Sequence, residues 1–115
     1  MDRTSRLRKG TEFDNAYSKG IVVGGPLVVV RHSPNSLATT RWGFAIGKRL
    51  AKHATDRNRT KRRLRACAEQ LLVIPGIDII VTARNGAIEA PYSDLCRALE
   101  RSLRKANLLQ PPSGP

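Results

Sequence analysis

A helical period between residues 56 and 72 places four apolar residues and one threonine on one arc of a helix: Thr60, Leu64, Cys67, Ala68 and Leu71. Positions spaced by three, four and seven residues share one helix face. Asp56, or Thr55 just before it, can cap the first turn, and no Pro or Gly follows until Pro75. The pattern predicts a helix over residues 56–72 with one face in a hydrophobic core.

Two further segments have helical patterns. Near the start, the spacing predicts a short helix from Lys9 or Thr11 to Ser18 in which Phe13 and Tyr17 share one face. Near the end, it predicts a helix over residues 91–108 with one apolar stripe: Leu95, Leu99, Ser102, Leu103 and Ala106. The outer face of this last helix is basic: Arg97, Arg101, Arg104 and Lys105.

Apolar runs between these helices predict strands. Residues 21–31 form a predicted strand region that is broken at Gly24-Gly25-Pro26, and residues 32–40 have the composition of a loop. Clear strand patterns occupy residues 41–47, where large and small residues alternate, and residues 77–83, which are almost continuously apolar.

The order of these elements predicts an α+β fold, a two-layer sandwich with helices packed on a sheet. One domain of residues 1–109 accounts for all of them. Residues 110–115, Gln-Pro-Pro-Ser-Gly-Pro, predict a disordered tail.

The chain is strongly basic. Lys and Arg account for 21 of its 115 residues against nine Asp and Glu, which gives a formal net charge of +12 and a pI near 11.1. A domain this basic binds nucleic acid or an anionic membrane. No apolar run is long enough to span a bilayer, and no signal-peptide pattern begins the chain. We therefore expect a cytoplasmic protein that binds nucleic acid and has no membrane partner.

The positive charge concentrates between Lys48 and Arg65, where nine of the 21 cations occur with a single acid, Asp56. On the predicted helix the polar face is cationic almost throughout. Like charges at i and i+4 destabilise a helix by about a few tenths of a kcal/mol each. A solvated helix face usually mixes both signs, so this asymmetry predicts contact with a polyanion.

Side chains that could catalyse a reaction or hold a metal are scattered. The nine acids show no spacing typical of a metal site, and His32 and His53 lie in different loops. Cys67 and Cys96 lack zinc-ligand spacing, and we interpret them as small core residues in a reducing compartment. The sequence therefore predicts no catalytic residue and no metal ligand.

The pattern leaves alternatives open. Phe13 and Tyr17 either pack in a core or form a platform for unstacked bases, and the pattern alone favours the core. Charge alone also fits a small ribosomal protein or another structural RNA-binding protein. A DNA reader is disfavoured, because the basic helix follows a strand rather than another helix and a short turn.

One motif joins the predicted strand of residues 41–47 to the basic helix: Gly43-Phe44-Ala45-Ile46-Gly47-Lys48-Arg49, then Ala54, then Arg57-Asn58-Arg59-x-Lys61-Arg62-x-x-Arg65. It resembles the signature of the bacterial ribonuclease P protein component. The upstream pattern Leu7-Arg8-x5-Phe13-x3-Tyr17-x2-Gly20 is similar to the first helix of that family. The resemblance covers nearly the whole chain, residues 6–107.

This resemblance implies a fold and a function. The expected fold is α-β-β-β-α-β-α with a left-handed βαβ crossover around the basic helix, although right-handed crossovers are the strong default. The implied function is that of a subunit that binds the ribonuclease P RNA and the 5′ leader of precursor tRNA and assists removal of the leader. The catalytic centre and its Mg²⁺ would belong to the RNA subunit.

The resemblance also implies site residues. RNA contacts would come from the basic link and helix: Lys48, Arg49, Arg57, Asn58, Arg59, Lys61, Arg62 and Arg65. Phe13 and Tyr17 would line a cleft between the first helix and the sheet, where the single-stranded leader runs, which reverses the preference for core packing. Thr60 departs from the family pattern, which usually has an apolar residue there, and so does Asp56 immediately before the motif.

Overall fold

The computed structural model describes residues 6–7 and 20–110. Six regular elements follow one another there: β1 (Ile21–Gly24), β2 (Val28–Pro34), β3 (Arg41–Ala45), α1 (Ala54–Glu69), β4 (Ile77–Ala83) and α2 (Tyr92–Lys105). The predicted first helix, with Phe13 and Tyr17, and the tail after Gln110 lie outside the described residues. Neither α1 nor α2 is long and apolar enough to cross a membrane.

The four strands form one mixed sheet in the order β1-β2-β4-β3. Strand β4 lies inside the sheet, antiparallel to β2 and parallel to β3. A parallel pair needs a crossover connection, and α1 provides it between β3 and β4. The predicted α+β class is confirmed, and so is the order of elements from β1 onward. The left hand of the crossover stays a prediction.

The main core lies between the sheet and the two helices. Ile79 and Val81 of β4 and Val30 of β2 pack with Leu64 of α1 and Leu99 of α2, and all five are fully buried. Burying a side chain of this size contributes about 1.5–3 kcal/mol. Both helices therefore rest on the same face of the sheet through their predicted apolar stripes.

The opposite face of the sheet carries polar and apolar contacts of its own. Leu7 packs against the fully buried Ile80. The backbone N–H of Leu7 donates to the carbonyl of Trp42 over 2.9 Å, at the edge of β3. On the same face, Arg41 forms a bidentate pair with the buried Asp78 over 2.7 and 2.8 Å. These contacts fix residues 6–7 and the two neighbouring strands to each other.

Several boundaries differ from the sequence prediction. Helix α1 begins at Ala54 after His53, so Asp56 lies in the first turn and does not cap it. Strand β2 continues through Pro34 because residues 32–34 pair with β4, where the sequence predicted a loop. Gln110 is also ordered, since its backbone N–H donates to the carbonyl of Leu72 over 2.8 Å, and only residues after it remain a predicted tail.

Cys67 of α1 and Cys96 of α2 form a disulfide, with their Cα atoms 5.1 Å apart. The interpretation of both residues as free core cysteines was therefore wrong, although Cys67 is buried as expected. The two residues are 29 positions apart and on different helices. Their pairing depends on how α1 packs against α2, and no local spacing in the sequence encodes that contact.

Candidate nucleic-acid interface

Helix α1 divides its side chains between the core and the solvent. The buried side chains are those of Thr60, Leu64, Cys67 and Ala68, four of the five predicted stripe positions. Thr60 is accommodated in the core because its hydroxyl donates to the carbonyl of Asp56 over 2.9 Å. The polar residue at a usually apolar position therefore has a partner within the helix itself.

The opposite face of α1 and the loop before it form an exposed cationic surface. Its exposed members are Lys48, Arg49, Asn58, Arg59 and Arg62, and Lys61 at its edge is half-buried. Within residues 6–7 and 20–110, only Arg59 among these six has a side-chain partner, Asp56, at 3.7 Å. Such an exposed ion pair is worth about 0–1 kcal/mol. The surface is therefore available to phosphate groups at little cost in folding stability.

Arg57 has a structural task in addition to its charge. Its Nη1 donates to the backbone carbonyls of Ala51 and Lys52 over 2.8 and 3.0 Å. These carbonyls belong to the loop that carries Lys48 and Arg49. Arg57 thus holds the loop against the first turns of α1, which sequence reasoning had not foreseen.

Replacing Arg57 by alanine should lower the free energy of unfolding by about 1–2 kcal/mol, because two backbone carbonyls lose their donor. RNA affinity should fall as well, since the loop with Lys48 and Arg49 loses its support. Urea denaturation and RNA binding of the same variant measure both effects. The exposed Arg62→Ala variant is the control and should unfold within about 0.5 kcal/mol of the wild type. Equal unfolding midpoints for the two variants would contradict the structural task of Arg57.

Two other arginines of α1 connect it to its neighbours. Arg63 Nη1 donates to the carbonyl of Ala90, in the turn before α2, over 3.3 Å. The guanidinium carbon of Arg65 lies 5.9 Å from the ring centroid of Phe44, which is itself stacked on Trp42. These contacts place the two arginines on the flanks of α1, between its core and its exposed face.

The environment of Arg65 differs from that of the exposed cations. Partial burial lowers the pKa of Arg65 from its ordinary value, and the nearby charge of Arg6 lowers it further, while Glu69 opposes this effect. An arginine nevertheless remains charged in a protein. Its Nε is buried and has no hydrogen-bond partner among the described residues. Arg65 therefore holds a positive charge against the edge of β3, where solvent screens it less than on the open face.

The cationic surface has the chemistry of a phosphate-backbone site. Arginine presents several donors in a planar fork that matches phosphate oxygens, and lysine adds a mobile point charge. Among the described residues, no group of three or more His, Cys, Asp or Glu side chains is placed to hold a metal ion. The side chains of this surface, five cations and one amide, thus suit phosphate groups and do not fit a Mg²⁺ site.

Comparison with known proteins shows that this chain is similar to one family both in sequence and in structure. The family model described as ribonuclease P matches residues 1–107. The ribonuclease P protein component of Symbiobacterium thermophilum is 37% identical over 113 residues, which cover 96% of this chain and 97% of the relative. The corresponding protein of Caldanaerobacter subterraneus is 31% identical and covers 95% of each chain.

Solved structures of ribonuclease P proteins have the same fold as this chain. The RNase P protein of Staphylococcus aureus superposes with a TM-score of 0.83 at 28% identity, covering 92% of this chain and 98% of that one. The RNase P protein of Thermotoga maritima, 24% identical, shares the fold with a TM-score of 0.79 over 87% of this chain and 96% of that one. The chain therefore belongs to the family of ribonuclease P protein components.

Proposed function

We propose that this chain is the protein subunit of a ribonuclease P holoenzyme that removes the 5′ leader of precursor tRNA. The observation that carries the proposal is the exposed cationic surface of α1 and the preceding loop, in a chain that belongs to this family. Most of its side chains have no partner among the described residues, and solvated surfaces of this size usually mix both signs of charge.

In this proposal the cationic surface binds the ribonuclease P RNA. Arg49, Arg59 and Arg62 donate to phosphate oxygens, Lys48 and Lys61 supply point charges, and Asn58 adds a neutral donor and acceptor. Arg57 positions the loop, and Arg65 extends the positive charge toward β3. These contacts are independent of base identity, so the shape of the RNA selects the site.

The 5′ leader is proposed to lie on the face of the sheet that the two helices leave open. Arg31, Ala45 and Thr82 are half-buried there, on the side where Leu7 packs on Ile80. Small side chains and a cation suit a single strand that lies flat on a sheet. Phe13 and Tyr17 are the proposed stacking partners, on the strength of the family resemblance alone.

The RNA subunit is proposed to hold the catalytic centre, with Mg²⁺ bound by RNA and substrate. Mg²⁺ prefers oxygen ligands and keeps several of its waters, so phosphate oxygens suit it well. The protein's part is to neutralise phosphate charge, which brings RNA and precursor together at low Mg²⁺ concentration.

Cleavage of precursor tRNA at low Mg²⁺ tests the proposal with three samples: the protein alone, a bacterial ribonuclease P RNA alone, and both together. We expect cleavage at the mature 5′ end to occur only with both, or to be much faster with both. Cleavage by the protein alone would show a stand-alone ribonuclease. Tight binding to ribosomal RNA without any effect on cleavage would favour a ribosomal role, which family membership does not support.

A further inference from the structure

A second group of cations lies at one end of the sheet. The strand register pairs Gly24 with Val29 and Val28 with Ala83, so the turn between β1 and β2 lies beside the end of β4. Because β3 runs parallel to β4, the loop after β3 leaves the sheet at this same end. The turn between β1 and β2 and the loop with Lys48 and Arg49 therefore lie at the same end of the sheet but at its opposite edges.

An open groove lies at the turn between β1 and β2. It consists of two adjoining hollows of about 310 and 200 Å³, and Pro26 and Leu27 line both of them. Arg84 and Asn85 line one hollow, and Arg97 and Arg101 of α2 line the other, together with Asp94. Three arginines and one aspartate give the groove a net charge of +2.

Arg84, directly after β4, is held in position by contacts with the turn between β1 and β2. Its Nη1 donates to the carbonyl of Gly25 over 3.0 Å, and its backbone N–H donates to the carbonyl of Leu27 over 2.8 Å. The guanidinium has further N–H groups, and the residue is exposed. A fixed guanidinium loses less conformational entropy when it binds an anion than a freely rotating side chain does.

Arg97 and Arg101 stand one helical turn apart on α2, and both are exposed. Asp94 lines the same hollow, yet neither arginine has a carboxylate oxygen within 4.0 Å among the described residues. Glu100 instead pairs with Arg104 over 3.0 Å, outside the groove. Two like charges at i and i+4 repel each other, so an anion between them stabilises the helix.

We propose that this groove binds phosphates of a second segment of the ribonuclease P RNA, through Arg84, Asn85, Arg97 and Arg101. The inference rests on the proposed function and extends it. RNA would then contact the protein at two separate places, the cationic surface of α1 and the groove beside α2. An extended polyanion is the ligand favoured by an open groove that is lined by three arginines and by the apolar side chains of Pro26 and Leu27.

The test compares two double variants that each remove two positive charges from α2. Arg97→Gln with Arg101→Gln alters the groove, whereas Arg104→Gln with Lys105→Gln alters the same helix outside it. Binding to a bacterial ribonuclease P RNA is measured over a range of salt concentrations. The groove variant should bind about 100-fold more weakly, at about tenfold for each of two lost phosphate contacts. Its log–log salt slope should be shallower by about 1.4–1.8. Equal changes in both variants would overturn the proposal, because they would reflect net charge alone.

A footprinting experiment separates this inference from the proposed function. Hydroxyl-radical protection of the RNA backbone is compared for the groove variant and for a variant of the α1 surface, Lys61→Gln with Arg62→Gln. Loss of protection at two different RNA segments supports the proposal. Loss at one shared segment would overturn it while leaving the proposed function intact. Failure of the wild-type protein to bind the RNA would overturn both.

Discussion

Replacing Lys61 and Arg62 together by glutamine should weaken binding to ribonuclease P RNA about 100-fold, because each lost charged contact to a phosphate is worth about 1.4 kcal/mol or more. Arg62 is exposed, Lys61 is half-buried, and neither has a side-chain partner among the described residues. Glutamine has nearly the helix propensity of lysine and arginine. We therefore expect the fold to be retained, and the loss of affinity to arise at the interface.

The measurement is an RNA titration at several salt concentrations, with urea denaturation of the same samples. The log–log salt slope should become shallower by about 0.7–0.9 for each phosphate contact removed. Loss of two repelling charges should leave the free energy of unfolding unchanged or raise it by about a few tenths of a kcal/mol. A folded variant that binds RNA as tightly as the wild type would remove this part of α1 from the interface.

Reduction of the Cys67–Cys96 disulfide should lower the free energy of unfolding by about 3–4 kcal/mol, because the cross-link restricts a loop of this length in the unfolded chain. The loop spans 29 positions and contains the whole of β4. After reduction, Cys67 remains a small buried side chain that packs as an apolar group. The folded structure should therefore persist, with a smaller margin of stability.

The test is urea denaturation of the wild type and of Cys96→Ala, each with and without a reducing agent. Cys96→Ala leaves the fully buried Cys67 in place and removes the half-buried partner. The wild type should lose stability on reduction, whereas the variant should be insensitive to the reducing agent. Two reactive thiols in the unfolded wild type without reductant, together with unchanged stability on reduction, would show that the cross-link does not form.

Elements defined by local periodicity were predictable from the sequence. Strand β4 has the predicted bounds, and the buried face of α1 contains Leu64 and its neighbours as predicted. Both follow from spacing within one segment. The disulfide and the contact of Leu7 with Ile80 were not predictable, because each depends on the packing of segments distant in sequence.

In the candidate site, too, the sequence predicted what depends on local composition and missed what depends on packing between distant segments. The sequence identified the cations of α1, since their number and sign are visible in the chain. It could not separate the open Arg62 from Arg57, which binds two loop carbonyls, because that difference depends on the path of the loop. Arg97 and Arg101 were recognised only as an outer face of the last helix. Their groove exists because the turn at Pro26 and Leu27 packs beside that helix.

The position of β4 has a consequence for how the chain folds during synthesis. Of the strands within residues 20–110 it is the last to be made, yet it joins β2 to β3 inside the sheet. Until it has left the ribosome, β3 has no partner among the other strands, and an isolated β1–β2 hairpin is at best marginally stable. The basic helix is thus made before the sheet on which it packs is complete. Until β4 is in place, the positive charges of the helix repel one another without the packing that stabilises it. A nascent chain with exposed strand edges and a bare cationic segment can associate with the wrong partners, including any RNA within reach.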